Sequence, residues 1–176
     1  MKLFKTAITA LLALAVSLPA LASETPNLDK INERGSLRVG MSTFVPWAMR
    51  NKQGDLVGFE IDVAKRLAED SGWKVEFVPT AWDGIIPSLL SNKFDVIIGG
   101  MSITEARAKS VLFTEPYSHS GVQLAANKEL AEGFSKISDF DSRRVKIAAR
   151  RGAFTVQVAR ETFPKAKVLQ FDDDAQ

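Results

Sequence analysis

The segment Phe94-Asp95-Val96-Ile97-Ile98 is a nearly continuous apolar run that stops on Gly99-Gly100. Such a run fits a strand covered on both faces within a parallel sheet. Parallel strands need long crossover connections, and the residues ahead of the run supply them. Leu37-Arg38-Val39-Gly40-Met41 alternates apolar and polar residues and reads as a first strand, ended by a loop at Pro46. Asn51-Lys52-Gln53-Gly54-Asp55 reads as a turn between short extended pieces. From Gly58 onward Phe59, Val63 and Leu67 recur at four-residue intervals, with Ile61, Ala64 and Ala68 widening the stripe. Glu60, Lys65, Arg66, Glu69 and Asp70 fall outside it, so a half-buried helix is expected, stopped by Gly72. Lys74-Val75-Glu76-Phe77-Val78 returns to a two-residue period, and Asp83 opens another helix through Ile85, Ile86, Leu89 and Leu90. Strand, helix, strand, helix, strand defines an α/β fold.

Beyond Arg107 the pattern predicts strands at Val111-Leu112-Phe113-Thr114 and Val122-Gln123-Leu124-Ala125, separated by Pro116-Tyr117-Ser118-His119-Ser120-Gly121, which reads as a domain crossing. A second α/β unit is expected from strand Val145 to Ala149, helix Ala153 to Phe163 and strand Lys167 to Phe171. Asp172-Asp173-Asp174 reads as the cap of a further helix opened by Ala175-Gln176, so the chain is expected to be the front part of a longer one. The expected organisation is a leader over 1–22, a first α/β lobe over 23–120 and an incomplete second lobe over 121–176.

The leader is read from Lys2 and Lys5, the uncharged apolar stretch Thr6 to Leu18, Pro19, and the small-residue closure Ala20-Leu21-Ala22. That layout is a cleavable secretory signal, and its apolar run is shorter than the roughly 20 residues a bilayer-spanning helix needs. With 0 Cys there is no thiol to carry a lipid at the cleavage point, so a free periplasmic protein is expected. The same absence excludes disulfides and thiolate metal sites, and 1 His disfavours a His-rich metal site; neither metal nor cofactor is expected. Removing Lys2 and Lys5 from the 23 basic residues leaves 21, against 21 acidic ones. A balanced surface carries no nucleic-acid footprint.

The chemistry gathers at Gly99-Gly100-Met101-Ser102-Ile103-Thr104-Glu105-Ala106-Arg107, at the carboxyl end of the buried strand, where crevices of open α/β sheets form. Thr104 is placed to cap a helix whose first turn holds Arg107. A cation beside unpaired N–H groups is electrostatically misplaced unless an anion joins it, and a guanidinium offers a carboxylate a bidentate fork, with the Ser102 hydroxyl as a further donor. The plain alternative is an exposed arginine on a solvated face with Lys109 and Glu105. Phe44 and Trp47 after the first strand, and Trp82 at the second helix, lie in loops that reach the same edge, where flat rings clamp an apolar stem or face a cation. Arg150 reads either as a partner for an acidic or amide side chain or, with Arg151, as a solvated flank.

From about Leu37 to Gln176 the chain resembles the periplasmic amino-acid-binding proteins of ATP-driven importers, the extracellular solute-binding proteins of family 3. The resemblance runs through Gly58-Phe59-Glu60-Ile61-Asp62-Val63-Ala64, Phe94-Asp95, Ser102-Ile103-Thr104 with Arg107, and Phe113-Thr114 with Pro116-Tyr117. It implies a periplasmic-binding-protein-like fold of two α/β lobes joined by a hinge. It also implies an amino-acid ligand, an inner-membrane ABC permease as partner, and a monomer. Arg107 would grip the α-carboxylate, the Gly100 carbonyl and Ser102 would meet the amino and carboxyl groups with Met101 in the same loop, and Phe44 and Trp82 would enclose the side chain. In the second lobe the family places small hydroxyl residues after the turn glycine, whereas here Gly152 precedes Ala153 and Phe154, leaving backbone donors, with Thr155 nearby. The family's acid for the ligand's ammonium lies further along than Gln176, so the chain alone is expected to bind weakly or not at all. Two other readings share the scaffold: a secreted dehydratase of cyclic carboxylates, and the sensing domain of a receptor. For the dehydratase Glu60, Asp83 and Glu105 are the nearest acids, each explicable as a helix-start residue, and His119 reads as a surface loop residue.

Overall fold

The computed structural model describes residues 26–172. The leader read at 1–22 and the helix opening read at 173–176 lie outside the described residues. Elements follow as α1 (Pro26–Arg34), β1 (Ser36–Met41), β2 (Met49–Arg50), β3 (Leu56–Val57), α2 (Phe59–Asp70), β4 (Lys74–Pro79), α3 (Ile85–Leu90), β5 (Val96–Ile97) and α4 (Glu105–Ala108), then β6 (Lys146–Arg150), α5 (Phe154–Thr162) and β7 (Lys167–Phe171). The first sheet is parallel in the order β4-β1-β5, with Val39 opposite both Phe77 and Val96. β6 and β7 form a separate parallel pair. Among the described residues no helix is long and apolar enough to cross a membrane.

β1 is the middle of the first sheet, and Leu37, Val39 and Met41 are buried together with Ser36 and Gly40. Ala64 and Ala68 of α2 pack with Ile31, Leu37, Val39 and Ile98, while Ile61 packs with Met41 and Ala48. The second unit has its own small core of Ile147, Ala159 and Phe163.

Ahead of β1, residues Pro26 to Arg34 form a helix held down by buried Ile31. Three expectations need correction. In α2 the buried face is Glu60, Ile61, Ala64 and Ala68, with Phe59 and Leu67 more than 40% exposed at 42% and 44%. The helix is rotated so that its small residues meet the sheet, because alanines allow the closer approach. Val111 to Thr114 and Val122 to Ala125 are irregular rather than strands. β-propensity makes a strand only where a partner edge accepts its hydrogen bonds, and among the described residues none does.

Asp95, just ahead of β5, locks the sheet's register. Its carboxylate takes Arg34 Nη2 at 2.5 Å, Arg38 Nη2 at 2.7 Å and the Arg38 N–H at 2.8 Å, tying α1, β1 and β5 at one point. Burial pushes the Asp95 carboxyl up, but the Arg38 hydrogen bonds and the charges of Arg38 and Arg34 outweigh it and hold the group below its ordinary 3.8. A depressed carboxyl stabilises the fold above its unfolded value and loses that contribution as pH falls through and below 3.8. Asp95→Asn is therefore expected to cost about 2 kcal/mol at neutral pH, allowing for the partly exposed arginines. Urea unfolding at several pH values checks this: the variant should show a shallower loss of stability below pH 4 than the parent.

Candidate functional site

Parallel pairing sends the loops after β1, β4 and β5 to one edge of the sheet, and the candidate residues divide there into three groups. The first is the turn after β5. Gly100 has φ +66, and a Cβ on it would stand 3.3 Å from Glu60 Oε1 and 3.8 Å from Phe44 Cε1, so glycine lets this backbone lie against both. Thr104 caps α4, its Oγ1 accepting from the Arg107 N–H at 3.2 Å. Met101 is partly buried and Ser102 exposed in the connecting loop.

The second group is the junction between the two units. Arg107 curls back so that Nη1 donates to the Ser102 carbonyl at 2.8 Å, and Nη2 donates across to the Gly152 carbonyl at 3.1 Å. Those bonds engage two of the five N–H donors of a guanidinium. Burial pulls the Arg107 guanidinium below its ordinary value, though an arginine stays a cation at any working pH, and among the described residues no carboxylate pairs with it. The arginine is therefore not the solvated member of a Glu105, Lys109 and Arg107 face. Glu105 and Lys109 alone make that surface pair, at 3.7 Å. The contact is close: a Cβ on Gly152, at φ +72, would stand 2.9 Å from Asp83 Cα.

Arg150 crosses the same junction in the opposite direction. It is only 9% exposed, so it is no solvated flank; Arg151 takes that role, paired with Asp172 at 2.8 Å. The Arg150 guanidinium donates to the Thr43 carbonyl at 2.8 Å and to Ser42 Oγ, and stands 5.6 Å from the centre of the Trp82 ring. Trp82 in turn lies beside Gly99, whose Cβ would meet Trp82 Cζ3 at 3.4 Å. Ala153 and Phe154 are partly buried at the start of α5, and the Ala153 N–H already donates to the Arg150 carbonyl at 3.1 Å.

The third group was not legible in the sequence. Glu60 is only 4% exposed, and its Oε2 accepts from the Tyr117 hydroxyl at 2.6 Å, so it is a buried acid rather than a helix-start surface charge. Tyr117 also stacks at a tilt on Phe59 at 6.3 Å, and Phe59 meets Trp47 edge-on at 5.9 Å. Trp47 thus joins an aromatic row with Phe59 and Tyr117. Burial, then the bond to Glu60 and its charge, push the Tyr117 phenol well above its ordinary 10.0, with only the Gly100 N–H pulling the other way. Asp83 and His119 are exposed. Among the described residues no group of three or more His, Asp or Glu side chains is placed to hold a metal ion.

Two α/β units thus meet through charged and polar groups at their strand ends. The chain belongs to the bacterial extracellular solute-binding proteins of family 3, whose sequence pattern matches residues 37–167. It is 35% identical over 148 residues to the L-cystine-binding protein TcyJ of Escherichia coli K12, covering 84% of this chain and 55% of that protein. It is 30% identical over 175 residues to the cyclohexadienyl dehydratase of Pseudomonas aeruginosa, covering 98% and 65%. Among solved structures it superposes with a TM-score of 0.81 and 44% identity on the ancestral amino acid-binding protein AncCDT-1, a precursor of cyclohexadienyl dehydratase, over 84% of this chain and 66% of that one. The chain thus spans a little over half the length of the cystine-binding protein.

Because Tyr117 is the sole tyrosine, its phenolate absorbance reports the third group alone. The midpoint in the folded protein is expected above 10.0, and back toward 10.0 in Glu60→Gln. A raised phenol stabilises the fold fully below its unfolded value and ceases to do so as pH rises through the folded one. A folded-state midpoint at 10.0 would contradict the Glu60 bond.

Proposed function

We propose that this protein captures an amino acid in the periplasm and delivers it to an ABC-type importer of the inner membrane. In this reading the secretory signal is cleaved after Ala22. Lobes of residues 23–120 and 121–176 then close on the ligand about the crossing at 116–121, with the monomer as the working unit. The carrying observation is the partly buried Arg107 guanidinium, held at the junction of the two units without a carboxylate among the described residues. Desolvating a cation is costly unless an anion compensates it. A small carboxylate supplies that anion and can exchange the carbonyl contacts of Ser102 and Gly152 for a charge-assisted pair. Gly100, Met101 and Ser102 frame the ligand's carboxylate and amino group. Phe44 and Trp82 bound its side chain, and Ala153 and Phe154 close it from the second lobe. Trp47 contributes through the aromatic row on Phe59. Family membership and the likeness to the cystine-binding protein support the ligand class and the transport role.

The reading requires no catalysis and no cofactor. A second reading, dehydration of a cyclic carboxylate, draws on the likeness to cyclohexadienyl dehydratase and on the buried Glu60 carboxyl beside Gly100. Asp83 packs against Gly152 at the junction but, like Glu105, is exposed, so neither is a buried acid of the kind Glu60 is. Turnover of a cyclohexadienyl carboxylate would favour that reading.

In the full-length protein Arg107→Ala is expected to weaken amino-acid binding about a hundredfold or more, the worth of roughly 3 kcal/mol in charge-assisted bonds, while the unfolding midpoint changes little. Calorimetric titration checks it, and an affinity within threefold of the parent would remove Arg107 from the site.

A further inference from the structure

We propose that Arg150 sets the ligand range by filling, with the protein's own guanidinium, the position where a cationic side chain would sit, so that the site takes amino acids without a positive end group. The proposal rests on the amino-acid-binding reading above and deepens it. Among the described residues, three features recognise a guanidinium here: the Thr43 carbonyl at 2.8 Å, the Ser42 hydroxyl, and the face of Trp82 at 5.6 Å from the ring centre. Carbonyl, hydroxyl and indole face together form a cation site, and each is already engaged by Arg150. The position is also the side-chain end of the junction. Thr43 directly precedes Phe44, which lies against Gly100, and Trp82 lies against Gly99, so Arg150 stands between the two loops that carry the enclosing rings. Reaching it from the last residue of β6, a residue only 9% exposed, the side chain is anchored in the second unit and held by the first. A ligand whose side chain ends in an ammonium or guanidinium meets both an occupied position and a like charge, and displacing Arg150 forfeits its hydrogen bonds. A short neutral or acidic side chain meets neither obstacle.

Calorimetric titration of the full-length protein and of its Arg150→Ala variant with arginine, lysine and a panel of neutral and acidic amino acids tests this. The parent should bind its best neutral or acidic ligand at least tenfold more tightly than arginine or lysine. The variant should gain at least tenfold in arginine affinity. A parent that binds arginine within tenfold of its best ligand overturns the proposal, as does an unchanged arginine affinity in a folded variant. A folded parent that binds no amino acid overturns the binding reading itself, and the proposal with it. Methylguanidinium gives a readout that needs no amino acid: at millimolar levels it should raise the unfolding midpoint of Arg150→Ala and leave the parent's unchanged. Equal shifts in both would show that no guanidinium position had been vacated. Should Arg150→Ala fail to fold, Arg150→Gln, which retains donors for Thr43 and Ser42 but not the charge, carries the same titrations.

Discussion

Parallel pairing of β1 with both β4 and β5 is the constraint on which the rest of the molecule depends. Because all three strands run the same way, the loops carrying Ser42 to Phe44, Trp82 and Gly99 to Ser102 leave the sheet at one edge. Residues separated by up to about sixty positions in sequence thereby meet without any of them being close in the chain. The Asp95 clip with Arg34 and Arg38 sits at the opposite end of β1 and β5 and fixes the offset between them. A slip there would move Gly99 and Gly100 relative to Phe44 and Trp82, so a salt bridge remote from the junction sets its geometry.

At the junction itself, polar contacts rather than apolar area hold the two units to one another. Arg107 runs from the first unit to a carbonyl of the second, and Arg150 runs from the second to a carbonyl and a hydroxyl of the first. Hydrogen bonds of this kind are each worth little net, because separation returns both groups to water. An interface built from them can open and close at little cost, as the proposed capture and release of a ligand would require. Apolar residues stay in the separate cores around Val39 and Ile147, so each unit retains its packing when the junction parts.

Much of this fold was legible in the residue pattern. The two-residue period over Lys74 to Val78 and the apolar run ending at Gly99-Gly100 mark β4 and β5, and Lys167 to Phe171 coincides with β7. The face of α2 was not legible, because hydropathy ranks Phe59 and Leu67 above alanine while close packing on the sheet prefers Ala64 and Ala68. Segments 111–114 and 122–125 have strand composition, but composition does not supply a partner edge. Within the site, Arg107 followed from local chain logic, a cap at Thr104 with a cation in the next turn. Glu60 with Tyr117, and Arg150 with Ser42 and Trp82, join residues far apart in sequence, and no periodicity encodes such pairs. The one available signal was a polar residue at a position that the neighbouring apolar residues would bury, which Glu60 beside Ile61 supplies.

If Arg107 exists to neutralise a carboxylate, the ligand's own charge should decide binding. The most direct measurement is a calorimetric comparison of the preferred amino acid with its α-carboxamide, which keeps shape, side chain and ammonium while removing the negative charge. The carboxamide is expected to bind at least a hundredfold more weakly. Equal affinity for the two would mean that the guanidinium at the junction serves only to join the lobes.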